Sequence, residues 1–161
     1  RDSGNQFYDS KFDIAKLSNI KNDAIKSILS AKLLEAQNRG ISISVEIEEP
    51  VSNFRIELLD FITVLSVLCD NAIEATIEAI SPRMTVAFMN NDDSLVLIVE
   101  NSIKSEKVDV SHIFARGYSS KGEGRGLGLH NVNSVLEKYP KSTITTRSAN
   151  HLFSQTIRFC K

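Results

Sequence analysis

Apolar side chains recur along this chain with two alternating periods. After Asn22, a residue suited to an N-cap, Ile25, Ile28, Leu29, Leu33 and Ala36 follow helical spacing as far as Gly40, which suits the left-handed position beyond a helix end. Ile41, Ile43, Val45 and Ile47 then alternate with Ser42, Ser44, Glu46 and Glu48, the period of a strand with one wet face, and Pro50 closes it. Residues 55–78 contain no Gly or Pro, and Leu58, Ile62, Leu65, Cys69, Ala72 and Thr76 form the stripe of the longest helix. Strands are predicted at 85–89 and 95–99, on either side of the turn Asn90-Asn91-Asp92-Asp93. Residues 101–125 are polar and without period, a loop of the length that lids or disordered segments have. A helix follows from Gly126 or Leu127 to Lys138, Pro140 stops it, and 142–147 with 152–159 form a closing hairpin.

Hairpins mixed with helices, without strict strand-helix alternation, predict an α+β fold: a two-layer sandwich of one mixed sheet under about three helices. Residues 1–21 read as a lead-in from an upstream segment, and 22–161 as one domain. With 161 residues, 42% of them hydrophobic, the chain can bury a sizeable core. Its 19 basic and 20 acidic residues give no general electrostatic reason to bind nucleic acid or an anionic membrane, so any phosphate binding must be local. Cys69 and Cys160 are too few for a disulfide framework and read as reduced thiols. The most apolar run, 58–69, contains Asp60 and is far shorter than the roughly 20 residues of a membrane span. The start has neither an initiator Met nor an apolar leader, so a piece of a longer protein is expected.

Two features carry chemistry. Asp70 and Asn71 interrupt the long helix, Glu74 follows one turn on, and 70, 71, 74 and 78 share a side while the apolar stripe continues through Ala72 and Thr76. Such a polar face either emerges into solvent or meets a ligand and its cation. The second is Ser119-Ser120-Lys121-Gly122-Glu123-Gly124-Arg125-Gly126-Leu127-Gly128-Leu129. Alternating glycines allow close backbone approach, the run ends at a helix N-terminus that favours an anion, and Lys121 and Arg125 add positive charge. It has no Gly-Lys-Ser/Thr of a Walker loop, and the glycine spacing of the dinucleotide fingerprint fails at Leu127, Leu129 and Asn131.

These residues resemble the GHKL superfamily of ATP-binding domains, and within it the peptide-pheromone sensor histidine kinases of Gram-positive bacteria. Leu68-Cys69-Asp70-Asn71-Ala72-Ile73-Glu74-Ala75 is similar to the N-box helix, 114–121 to the F-box and lid, and 122–129 to the second glycine box. The resemblance implies the Bergerat-type sandwich, with ATP between the N-box helix and a lid. It implies that Asn71 offers its side-chain oxygen to Mg²⁺, that Ala75 lies near adenine, and that Lys121, Arg125 and the backbone of Gly122, Gly124, Gly126, Leu127 and Gly128 hold the phosphates, with Ser120 and Leu129 also in the ATP site and Asp70 and Glu74 orienting Asn71 or waters.

The first glycine box departs from the family: Glu100-Asn101-Ser102-Ile103-Lys104 has lost both glycines, and Glu100 stands where the adenine-reading Asp is expected, leaving Glu100, Asn101 or backbone for that contact. Val67 stands where hydrolysing relatives carry a Glu that activates water, and it cannot accept a proton. The resemblance further implies a phosphoacceptor His on a separate dimerisation hairpin, none of His112, His130 and His151 being suited to in-line transfer. It also implies a response regulator as partner, a membrane-anchored homodimeric receptor of which this would be a cytoplasmic domain, and a monomeric fragment with little autophosphorylation. A chaperone- or gyrase-type ATPase and a nucleotide-free interaction module remain as alternatives.

Overall fold

A computed structural model describes residues 15–110 and 127–160, the side chain of Leu127 excepted. Three helices, α1 (Asp23–Asn38), α2 (Leu58–Thr76) and α3 (Leu127–Leu136), lie on one face of a five-stranded sheet. The strands are β1 (Ser42–Ile47), β2 (Arg83–Asn90), β3 (Ser94–Ser102), β4 (Ser142–Ala149) and β5 (Leu152–Cys160), in the order β1-β2-β3-β5-β4. Only the β1/β2 pair is parallel, so the sheet is mixed and mostly antiparallel as expected.

Local chemistry sets most of the ends. Asn22 Oδ1 accepts the Ile25 N–H at 3.0 Å and caps α1, and Gly40 at φ 84° lets Ile41 N–H return to Ala36 O at 3.1 Å. In the first hairpin Asn91 Oδ1 accepts from the N–H groups of Asp93 and Ser94, both at 2.8 Å. The β4/β5 turn places Asn150 and His151 at φ 57° and 63°, the two positive angles a tight hairpin needs.

Three expectations shift. The long helix begins at Leu58 rather than near 55, because Arg55 sits at φ 74° in a turn whose N–H is taken by Asn53 Oδ1 at 2.9 Å. The third strand runs through Asn101 and Ser102, which pair with Phe153 and Leu152, so the long loop starts later than 101. Leu17, in a short 3₁₀ turn, and Ile20 are buried in the same core as α1, so that core reaches back beyond Asn22.

α2 is the centre of the helical layer. Phe61, Val64, Leu65, Leu68, Cys69, Ala72, Ile73 and Thr76 are buried between the sheet below and α1 and α3 beside it. Each large apolar chain removed from water there contributes about 1.5–3 kcal/mol, which explains why this helix is apolar on nearly every side. Phe61 stacks among Phe54, Phe88 and Phe159, with ring centroids 4.9, 6.3 and 5.4 Å away, and fixes the start of α2 to the sheet. The other end of α2 is where polar groups collect.

Candidate functional site

Asn71, Glu74 and Ala75 lie half-buried on the second half of α2. Across from them begins α3, held to α2 by buried Leu129, Val132 and Leu136. The two helices approach closely at Gly128. A Cβ on that residue would lie 3.2 Å from Val67 Cγ1 and 3.9 Å from both Asn71 Nδ2 and Oδ1. The polar break in α2 and the end of the glycine run therefore meet, with the Asn71 carboxamide beside the first turn of α3. The first turn of a helix offers backbone N–H groups that lack a partner within the helix, and the helix dipole there favours negative charge.

The floor of this region is the end of β3. Leu95, Leu97 and Val99 belong to the core under the helices, and strand alternation puts Asn101 on that same face, only 2% exposed. Glu100, paired with Thr85 and Ser154, points to the opposite face. Of the candidates left open for the base contact, Asn101 is the one on the helix-facing side of β3, and Glu100 is on the opposite side. Asn101 Nδ2 donates to Ser102 O at 3.0 Å, which orients the amide and leaves Oδ1 without a donor among the described residues.

Asp70 also departs from the sequence reading. Its carboxylate pairs with Lys32 Nζ on α1 at 2.7 Å, and this hydrogen bond holds the Lys32 ammonium above its ordinary pKa. The 100° step from one helical residue to the next is enough to send Asp70 to α1 and Asn71 to α3. Cys69, fully buried beside them, has its thiol pushed up to about 12 by burial and is inert as a nucleophile.

Sequence reasoning missed a hydrogen-bonded net beneath the end of α2. Thr76 Oγ1 and Ser102 Oγ are 2.6 Å apart, both accept the Arg83 N–H, at 3.1 and 3.0 Å, and Ser102 Oγ donates to Ser81 O at 2.9 Å. Thr76 had looked like one more position of the apolar stripe. Ser102, standing where the family has a glycine, ties β3 to the end of α2 with a hydroxyl; the paired loss of glycine and gain of hydroxyl was the signal available.

Ser120, Lys121, Gly122, Gly124, Arg125 and Gly126 lie outside the described residues, as do His112 and most of the expected lid; Leu127 is placed by its backbone only, and Leu129 is core. Among the described residues no three His, Cys, Asp or Glu side chains form a metal-binding group. The donor beside α3 is one amide oxygen, which fits a hard cation that draws its other ligands from phosphate and water. A separate cavity of about 630 Å³, lined by Arg55, Asn90, Asn91 and Cys160, lies at the far end of the sheet and includes neither Asn71, Asn101 nor the first turn of α3.

A GHKL domain family model matches residues 56–160. The chain belongs to the GHKL domain family. Sensor protein CitS of Bacillus subtilis is 29% identical over 125 residues, which cover 74% of this chain and 23% of CitS. Sensor histidine kinase DcuS of Escherichia coli is 30% identical over 144 residues, 86% of this chain and 26% of DcuS. The chain thus spans about a quarter of the length of these relatives. Among solved structures, the catalytic domain of histidine kinase ThkA superposes with a TM-score of 0.71 at 20% identity over 88% of this chain and 92% of its own. Full-length ShkA in complex with AMPPNP gives 0.67 at 14% identity over 83% of this chain and 28% of its own. The fold of this GHKL domain is that of a histidine kinase catalytic domain.

Proposed function

We propose that this GHKL domain is the catalytic part of a two-component sensor histidine kinase, binding Mg-ATP and donating its γ-phosphoryl group to a histidine on a separate dimerisation hairpin. The observation that carries the reading is the contact between Asn71 and the start of α3 at Gly128, which joins an oxygen ligand to a helix N-terminus suited to phosphate. In this reading Asn71 Oδ1 holds the magnesium, which when bound offsets phosphate charge, and Glu74 adjusts the surrounding waters. Lys121, Arg125 and the backbone of 122–128 hold the phosphates, with Ser120 and Leu129 flanking them. Asn101 Oδ1 accepts the amino group of adenine near Ala75, and Glu100 takes no part.

Catalysis here is positioning. The imidazole nitrogen attacks the γ-phosphorus in line, the bond to the β–γ bridging oxygen breaks, ADP leaves and the imidazole proton goes to water. The Val67 side chain beside Gly128 offers no base to activate water, which favours transfer over hydrolysis and counts against an ATPase of the chaperone or gyrase type.

Around this domain the reading places a His-containing dimerisation domain, a response regulator, and a membrane-anchored homodimer with this domain on the cytoplasmic side. Named relatives that are sensor proteins support that setting. The narrower reading, a peptide-pheromone receptor in quorum sensing, rests on the sequence resemblance alone. Titration with a fluorescent ATP analogue, with and without Mg²⁺, tests the proposal: Mg-dependent binding is expected, together with phosphoryl transfer to a His hairpin supplied separately. Absence of binding at millimolar nucleotide would leave the interaction-module alternative.

A further inference from the structure

The two ends of α3 are held by different means. Its start lies on α2 through Gly128, which has no side chain. Beyond its end, Tyr139 Oη donates to Asp60 Oδ2 and accepts the Glu57 N–H at 3.3 Å, while Lys138 Nζ lies 3.0 Å from the same carboxylate oxygen. Asp60 is in the first turn of α2, its side chain 15% exposed. The Tyr139 and Lys138 hydrogen bonds hold its carboxyl below the usual carboxylate range, so it is ionised at neutral pH and complements the positive end of the α2 dipole. Glu57 precedes α2 with no side-chain cap of its own, so the tyrosine hydroxyl serves as an acceptor there.

These contacts clamp the residues after α3 to the beginning of α2, at the end of α2 opposite Asn71. Among the described elements α3 packs substantially on α2 alone. Its ten residues make a rod of about 15 Å, so a tilt of roughly 5° at the clamped end moves Gly128 by about 1 Å. Leu129 anchors the first turn in the core, while Gly128 presents no side chain to Val67 or Asn71, so the gap there follows the position of the helix itself.

We infer that Asp60 and Tyr139, assisted by Lys138, form a positioning clasp that sets the gap between the first turn of α3 and Asn71, and with it the grip on the phosphates of the nucleotide. The inference rests on the nucleotide reading above. It separates two halves of the ligand, because the base half is held by β3, which the clasp does not touch. The clasp residues are positioning residues, remote from the reacting atoms.

Tyr139→Phe keeps the ring and removes both hydrogen bonds. The expected result is a folded protein in which displacement of a fluorescent ATP analogue by ATP requires several-fold more ATP, while displacement by adenosine is unchanged. Asp60→Asn, which keeps an acceptor for Tyr139, should fall between Tyr139→Phe and the parent. A clasp that only staples the fold would lower the melting temperature and leave the ATP-to-adenosine ratio unchanged, and that outcome overturns the inference. If the parent chain binds no nucleotide, the function reading fails first, and the clasp is then judged by amide hydrogen exchange. Faster exchange at 129–132 than at 133–136 in Tyr139→Phe, relative to the parent, supports the lever; uniform or unchanged exchange refutes it.

Discussion

At the end of β3, Thr76, Ser102 and Arg83 are joined by side-chain hydrogen bonds, whereas at the first turn of α3 the close approach to Val67, beside Asn71, depends on Gly128 having no side chain. The β3 end is over-determined: the Arg83 N–H has two hydroxyl acceptors, and either can serve alone. At the α3 end the polar face has one close approach, at Gly128, with buried Leu129 as the apolar anchor of that turn. A base needs a fixed edge to be read against, while a triphosphate and its cation need room to enter and leave, so rigidity under one and an open joint beside the other suit the two halves of a nucleotide.

The sharpest way to break this comparison is Asn71→Ala. Removing the only oxygen ligand proposed at the open end should weaken Mg-dependent binding by roughly 100-fold and leave the melting temperature unchanged, since Asn71 is half-buried beside the core and not in it. Isothermal titration with and without Mg²⁺ checks this; equal affinity in both variants removes the metal assignment.

The hydroxyl net should respond differently. Thr76→Val or Ser102→Ala alone is expected to cost about 1 kcal/mol, and the double variant more than the sum of the two, about 3 kcal/mol, because only then does the Arg83 N–H lose both acceptors. Urea denaturation of the four proteins measures the coupling, and strict additivity would contradict the proposed redundancy.

Smaller still is Gly128→Ala, whose new methyl meets Val67 at 3.2 Å and should cost about 1 kcal/mol while weakening ATP binding several-fold. Val67→Ala in the same chain should restore binding by vacating that space. Without rescue, the close approach is not what the glycine serves.

The smallest effect is on pH. Asp60 titrates below its ordinary value of 3.8 because Tyr139 and Lys138 face it, with the Glu57 backbone on the tyrosine. A depressed carboxyl contributes stability that is full above its unfolded value and is lost as pH falls through its folded one. Acid unfolding should therefore begin at a higher pH in Tyr139→Phe than in the parent, with the two melting curves converging below both values.

How much of this was readable in advance follows from what each feature depends on. Periodicity located the three α-helices and the five strands among the described residues, because burial on one face imposes spacing, but not the 3₁₀ turn at Leu17–Asn19. The Asn71 and glycine motifs were found for a similar reason: a turn and a close approach restrict residue type locally. Arg55 was misjudged because a left-handed turn closed by Asn53 leaves no mark in apolar spacing, and Asn101 because two extra ladder pairs depend on Phe153 and Leu152, distant in sequence. The facing of Glu100 was decided by strand register, which a motif alignment does not carry. Thr76 was indistinguishable from an apolar position until Ser102 lay against it.

The two cysteines differ in reactivity as sharply as in location. With the Cys69 thiol buried and raised to about 12, a maleimide or iodoacetamide reagent at mild alkaline pH should attach to exposed Cys160 and nowhere else. Cys160 ends β5, at the opposite end of the sheet from Asn101 and Asn71. The unmodified chain therefore already carries a single handle for a fluorophore or a surface tether, placed where a dye or a chip would leave the Asn71 end of the molecule open to solution.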